Sequence, residues 1–388
     1  MAHPSTADYE ARLAELAIRV GVDLEPGQDV FILVFDVEQA PLARAIADAA
    51  YRAGAGFVSV LYWDQHVKRS RLLHADPETL GEVPDWWERH IAECVERRGA
   101  YIVVWGDPDP NLLADVDPER GGAEQMPLVA SLLAAQRGGE IAWLFMPGPC
   151  PGIARRLLGA PDVARLWEII APIVRIDADD PVRAWDDHLN RLRERAALLD
   201  ERGFEALHFA GPGTDLTVGL LASARWMTAE LTTAGGRRNV VNLPTEEVFT
   251  TPDHRQTEGV VRATVPVQLI GGGVVDELRL RFSGGRVVDA SAESEEELLL
   301  RTLDTDEGAR RIGELGIGCN PGITRYMGNV HFDEKIDGTV HLALGFGFAD
   351  MGGTNESAIH WDIVKDMRAG GRIELDGKVV QENGRWIA

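Results

Sequence analysis

Residues 313–362, GELGIGCNPGITRYMGNVHFDEKIDGTVHLALGFGFADMGGTNESAIHWD, set three histidines and several carboxylates among glycines and short apolar alternations. Short alternating runs between glycine turns are the pattern of antiparallel strands rather than of long helices. In Ala358-Ile359-His360-Trp361-Asp362 a strand places His360 and Asp362 on one face and Trp361 on the other. In Thr339–Gly345 the same period puts His341, Ala343 and Gly345 on one side, opposite Val340, Leu342 and Leu344. In Gly313–Gly318, Glu314 shares its face with Gly316 and Gly318 while Leu315 and Ile317 point into a core. Each polar residue therefore has small neighbours, and the space beside it suits a bound ligand. A histidine and an aspartate on one face can share a metal.

The same grammar extends upstream to about Gly203. Strands are expected at Leu207–Ala210 and Leu216–Leu220, joined by a Gly-Pro-Gly turn at 211–213, then at Val260–Leu269, Val275–Phe282 and Gly285–Val288, with a helix over Ser291–Asp304. This predicts a mainly antiparallel α+β domain over residues 204–388. Before Gly203 the pattern changes. Apolar runs at Asp29–Phe35, Phe57–Tyr62, Ala100–Trp105 and Ile141–Met146 alternate with helical stretches at Gln39–Ala53, Pro84–Arg97 and Met126–Gln136, after an amphipathic helix over Thr6–Val20. Strands alternating with helices predict an α/β domain over residues 1–203, built on a parallel sheet covered on both faces. Helices over Val163–Ile170 and Pro181–Arg202, the second highly charged, lead to the boundary. No GxGxxG follows any of the strands, so a dinucleotide site is unsupported.

At 388 residues and 45% hydrophobic content the chain can bury two cores. A formal net charge of -23 repels phosphate backbones and anionic lipid, so neither nucleic acid nor a membrane surface is an expected partner. The three cysteines, Cys94, Cys150 and Cys319, are widely spaced and form no CxxC. They argue against a disulfide framework or a thiolate zinc site, and fit a reducing cytoplasm. The start, MAHPSTADYEARLAEL, lacks a basic region followed by an apolar core, and no apolar run approaches the roughly 20 residues of a membrane span. A soluble, cytoplasmic protein is expected.

Asn242-Leu243-Pro244-Thr245-Glu246-Glu247-Val248-Phe249-Thr250, Glu314-Leu315-Gly316, Asp333-Glu334-Lys335, His341-Leu342-Ala343-Leu344-Gly345 and Ser357-Ala358-Ile359-His360-Trp361-Asp362, in this order and spacing, resemble the aminopeptidase T family of dinuclear metallopeptidases. The likeness is strongest from Asn242 to the C-terminus, and the α/β first half fits the family's architecture. The resemblance implies two divalent ions, zinc, cobalt or manganese with iron possible, held by Glu247, Glu314, His341, His360 and Asp362. Glu314 is the expected bridge. Oxygen and nitrogen donors without a thiolate suit these metals. The implied chemistry is attack of a metal-activated water on an N-terminal aminoacyl bond of a small peptide, or on a related small-molecule amide, by a homodimer. Glu246 stands where relatives commonly have glycine, and strand alternation turns it away from Glu247. Glu334 is the candidate for proton transfer or for holding a substrate ammonium.

One position departs from the family. Seven residues after His341 relatives carry a tyrosine thought to assist catalysis, and this chain has Phe348. Loss of one oxyanion donor typically costs about 3–4 kcal/mol, which raises two alternatives, Tyr326 as a substitute hydroxyl or a non-peptide amide substrate. Two other classes compete: a mononuclear non-haem iron(II) ring-cleaving enzyme of the 2,5-dihydroxypyridine dioxygenase type, which resembles this fold but has histidine at the Glu314 position, and a scaffold that binds without turnover. A lone histidine is more often a satisfied polar residue than a ligand; that is the expectation for His254 and His331. Cys319 is expected to pack as a small apolar residue, and Trp86 and Trp87 to pack a helix rather than stack bases.

Overall fold

The computed structural model describes residues 4–387 except 107, 110, 111, 114, 125, 202 and 269–273. Arg202 and Leu269, the last residues of the expected charged helix and of one expected strand, thus lie outside the described residues. Four apolar runs form a parallel sheet: β1 Val30–Val34, β2 Val58–Tyr62, β3 Ala100–Trp105 and β4 Ala142–Pro147, in the order β2-β1-β3-β4. The central strands β1 and β3 are buried almost throughout, as continuous apolar runs with a neighbour on each side should be. β2 lies at an edge and is only half-buried. Helices Ala40–Arg52, Asp85–Glu96 and Ala130–Arg137 alternate with the strands. Phe31, Leu33, Trp87, Ile91, Cys94, Tyr101 and Val103 belong to one core cluster, so Trp87 packs a helix onto the sheet. The first helix starts at Thr6 behind a capping box, in which Ser5 Oγ accepts from the Asp8 amide and Asp8 returns the contact.

Downstream, β5 Ala206–Gly211 and β6 Thr214–Leu220 make a hairpin, and β7 Glu230–Thr232 pairs with β8 Arg238–Val240. β9 Glu247–Thr250 and β10 Pro252–Arg262 follow. The strand expected at Val260–Leu269 is thus the end of a longer β10 plus a separate β11, Val267–Gln268. Pro266, with no N–H for a ladder, stands in the break. The run expected at Val275–Phe282 is likewise divided, into β12 Val274–Val275 and β13 Arg279–Ser283, by Glu277 in the left-handed region at φ 56. β14 is Arg286–Ser291, and the helix after it is shorter than expected, Glu296–Leu303. The remaining strands are β15 Ile312–Gly318, β16 Thr339–Gly345, β17 His360–Asp366, β18 Arg372–Leu375, β19 Lys378–Glu382 and β20 Arg385–Trp386. They complete an eight-stranded sheet, β14-β13-β10-β6-β5-β18-β19-β20, and a four-stranded sheet, β17-β16-β15-β9, whose pairs are antiparallel.

The chain forms two compact units, residues 1–187 with 229–245, and residues 188–228 with 246–388. This differs from a single cut at 203/204. Residues 229–245 return to the first unit because their backbone pairs beside β4: the Phe145 amide donates to Val241 O at 2.8 Å and the Leu243 amide to Phe145 O at 2.9 Å. Asn239 ties the same segment down, its amide donating to Gly21 O and Trp143 O. No helix among the described residues is long and apolar enough to cross a membrane.

Candidate metal centre

The four-stranded sheet of the second unit carries the site on one face. Gly318 is opposite Glu247, and Gly316 is opposite both Phe249 and His341. Ala343 is opposite both Glu314 and Asp362, and Gly345 is opposite His360. Residues directly opposite share a face, so Glu247, Glu314, His341, His360 and Asp362 project together over a floor of Gly316, Gly318, Ala343 and Gly345. Leu315, Ile317, Val340, Leu342, Leu344, Trp361 and Ile363 alternate to the other side and are buried. The glycines are needed: a Cβ on Gly316 would sit 2.0 Å from His341 Cε1.

Glu314 lies between the histidines. Its Oε1 is 3.4 Å from His341 Nε2 and its Oε2 is 2.9 Å from His360 Nε2. His341 Nε2 is also 3.5 Å from Glu247 Oε2, and His360 Nε2 is 3.8 Å from Asp362 Oδ1. Donor atoms of Glu314, His360 and Asp362 lie within 4.8 Å of one another, as do those of Glu334, His341 and Asp362. Two atoms each about 2.1 Å from one tetrahedral ion stand about 3.4 Å apart, close to the 3.4, 3.5 and 3.8 Å separations, while the 2.9 Å contact between His360 and Glu314 is a hydrogen-bond length. The residues fit divalent cations. His360 Nδ1 lies 3.2 Å from Phe346 O; a carbonyl only accepts, so Nδ1 carries a proton and Nε2 is the atom a metal would take.

Charge shows the same demand for cations. Burial acts to raise the Glu314 carboxyl, but hydrogen bonds from His341 and His360 overcome it and hold it at about 2. Burial opposes charge on both histidines, yet Glu314 with the surrounding carboxylates raises His341 to about 10, and Glu314 with Asp362 raises His360 to about 9. Burial and the Glu334 charge push Asp362 up to about 7, and burial raises Glu247 against the pull of Lys335. Carboxylates crowded out of water draw positive charge from protons on the histidines.

Glu334 comes from the turn after a short helix, Val330–Asp333, and joins the donors. Next to it Lys335 is 1% exposed, donates to Glu334 Oε1 and places Nζ 3.3 Å from Glu247 Oε1. A lysine on a turn carries no alternation signal, so its place between two carboxylates was not legible in the sequence beyond a pairing with Glu334. Glu246 faces away: it is 0% exposed, accepts from Asn320 Nδ2 at 2.6 Å and lies 3.8 Å from His188 Nε2. Cys319 is buried and free, its thiol pushed up to about 11 by burial.

Phe348 is beside the site, as the family register implies. Its ring centroid is 5.5 Å from that of His360, 5.8 Å from Phe249 and 6.0 Å from Phe346, and Phe346 lies 4.5 Å from His360. Phe249 and Phe346 had no role in the sequence reading, although Phe249 shares the parity of Glu247. The Tyr326 hydroxyl is already engaged. It donates to Asp366 Oδ2 at 2.8 Å, on β17 opposite Thr339, six residues from His360 and two from the position opposite His341. His254 Nδ1 lies 3.2 Å from Thr354 Oγ1, and His331, held down at about 4 by burial, follows Asn329, whose side chain caps its amide.

The fold and its donor groups fit the class of metal-dependent enzymes, and the family decides that the chemistry is hydrolytic. A family model for thermophilic metalloproteases (M29) matches residues 8–386, and the chain belongs to that family. It is 39% identical over 401 residues to aminopeptidase T of Thermus thermophilus, an alignment covering 97% of this chain and 98% of that protein. It is 32% identical over 405 residues to aminopeptidase AmpS of Bacillus subtilis, covering 96% and 97%. Wild-type AmpT from Thermus thermophilus is similar in structure, with a TM-score of 0.88 and 36% identity over 99% of this chain and 100% of that one. The dioxygenase alternative is not favoured: the family is one of peptidases, and Glu314 is in place where those enzymes carry histidine.

Proposed function

We propose that this enzyme is a two-ion aminopeptidase that cleaves the N-terminal aminoacyl bond of small peptides or related amides. The observation that carries the proposal is Glu314, one oxygen toward His341 and the other toward His360, the disposition a carboxylate needs to serve two ions. Glu314, His360 and Asp362 would hold one ion; His341 and Glu247, with Glu334, Asp362 and the other oxygen of Glu314 within reach, would hold the other. Zinc, cobalt or manganese suits this set of oxygen and nitrogen donors. When bound, such ions lower the pKa of a coordinated water toward neutrality and polarise the scissile carbonyl. The chain's own residues do the rest. Phe346 O holds the His360 ring by Nδ1, the small floor beneath His341 and Asp362 keeps the face open, and Glu334 holds or moves the proton that passes to the leaving amine. Phe348 supplies no hydroxyl, so the carbonyl oxygen gains no side-chain donor there. The rings of Phe249, Phe346 and Phe348 instead favour substrates with an apolar N-terminal residue. The protein works as a cytoplasmic homodimer on this proposal.

The test is elemental analysis of the purified protein together with hydrolysis of aminoacyl anilides before and after chelation. Two divalent ions per chain and activity restored by added metal are expected. No bound metal, or activity untouched by prolonged chelation, would sink the proposal.

A further inference from the structure

A buried lysine inside a cluster of candidate metal ligands needs an account, because an ammonium repels the cations such a cluster holds. Lys335 is 1% exposed and its side chain reaches back to two carboxylates. It donates to Glu334 Oε1, and its Nζ lies 3.3 Å from Glu247 Oε1. The other oxygen of Glu247 is 3.5 Å from His341 Nε2. Glu247 is therefore divided, one oxygen to the ammonium and one to the histidine side of the site. Glu334, with its own oxygen on Lys335, also belongs to the donor group that contains His341 and Asp362. The ammonium thus touches two of the carboxylates around His341, Glu247 and Glu334, the third being Glu314. No contact links it to Glu314, His360 or Asp362 among the interactions of the described residues.

Lys335 also joins segments that strand pairing does not join directly. Glu247 begins β9, whereas Glu334 lies in the turn before β16. Asn320 joins the same two segments through neighbouring groups: its side chain donates to Glu246 Oε2, and its backbone amide donates to Lys335 O at 2.8 Å. Two buried polar residues, Lys335 by its side chain and Asn320 by side chain and backbone, thus brace the start of β9 against this turn. Outer partners of this kind fix the direction in which a ligating carboxylate points.

We propose that Lys335 is a positioning residue for one of the two ions: by holding one oxygen each of Glu247 and Glu334, it presents these carboxylates to the ion on the His341 side and leaves the ion on the His360 side unaffected. The inference rests on the two-ion reading of the site. It goes further by assigning an outer partner to one ion and not to the other.

Calorimetric titration of metal-free protein with cobalt(II) tests it, for wild type, Lys335→Met, Lys335→Gln and His360→Ala. Wild type should show two binding steps. In Lys335→Met one step should weaken by roughly 10- to 100-fold, the usual cost of losing an outer partner, and the other should hold its affinity. The weakened step should be the one that survives in His360→Ala. Lys335→Gln, which keeps a donor but no charge, should lie between. The sign matters, since removal of a like charge alone would tighten cation binding. A tighter step, two unchanged steps, or equal loss of both steps in folded Lys335→Met overturns the proposal. If Lys335→Met does not fold by circular dichroism, Lys335→Gln carries the same comparison. A wild type that binds no cobalt overturns the two-ion reading itself, whereas a wild type with two steps that Lys335→Met reproduces overturns only the role of Lys335.

Discussion

Glu246 and Glu247 are neighbours with opposite tasks. Glu247 faces His341, whereas Glu246 is sealed on the far side of β9 with Asn320 and His188. Glu247→Ala is therefore expected to lose one ion in a calorimetric titration. Glu246→Ala should keep the full metal stoichiometry but lose stability, by about 1–3 kcal/mol in denaturant unfolding, because the Asn320 amide loses a buried acceptor. Equal metal losses in the two variants would refute the register of β9. Phe348 calls for a second residue-level test. Its ring sits among Phe249, Phe346 and His360, where an added hydroxyl has to find a partner. Phe348→Tyr should leave turnover on aminoacyl anilides unchanged or lower it. A gain of roughly 10²-fold confined to peptide substrates would instead mean that a missing oxyanion donor limits this enzyme.

At the scale of elements, the site depends on how closely β15 approaches β16. Gly316→Ala puts a methyl where the His341 ring lies, so the ring must move and the affinity of at least one ion should fall by 10-fold or more in the cobalt titration. Unchanged affinity would mean the ring has room to yield. The entry to β17 has its own clamp: Asp306 accepts from the Ala358 amide at 2.7 Å, the Ser357 hydroxyl at 2.8 Å and the Ala309 amide at 2.8 Å. Burial acts to raise the Asp306 carboxyl, but these donors prevail and hold it below its ordinary range. A depressed folded pKa contributes stability that is present above the unfolded value near 4 and is lost as the pH falls through the folded one. Melting temperature should therefore drop below about pH 4 less steeply in Asp306→Asn than in wild type; parallel curves would deny the clamp that role.

For the whole molecule, every candidate ligand lies in the second unit. Chelation should remove hydrolytic activity while the parallel sheet of the first unit stays folded, which far-ultraviolet circular dichroism and hydrogen exchange of β1 and β3 can follow. Loss of protection in those strands on chelation would show that metal sustains both units. Sedimentation velocity decides the proposed homodimer, with a monomer over the working concentration range as the contrary result.

Strand parity is a local property, so the sequence alone was enough to place Glu314, His341, His360 and Asp362 on one face each and to turn Glu246 away from Glu247. The change from alternating helices and strands to short strands with glycine turns likewise marked two kinds of architecture. Tertiary structure decided which faces meet. Glu246 finds Asn320 across 74 positions, and Glu314 finds His360 across 46, through pairings no local pattern encodes. The return of residues 229–245 to β4, the buried place of Lys335 and the placing of Phe346 and Phe348 beside His360 have the same origin. Turns carry no period, and a side chain's partner depends on register between distant strands rather than on its own neighbours in the chain.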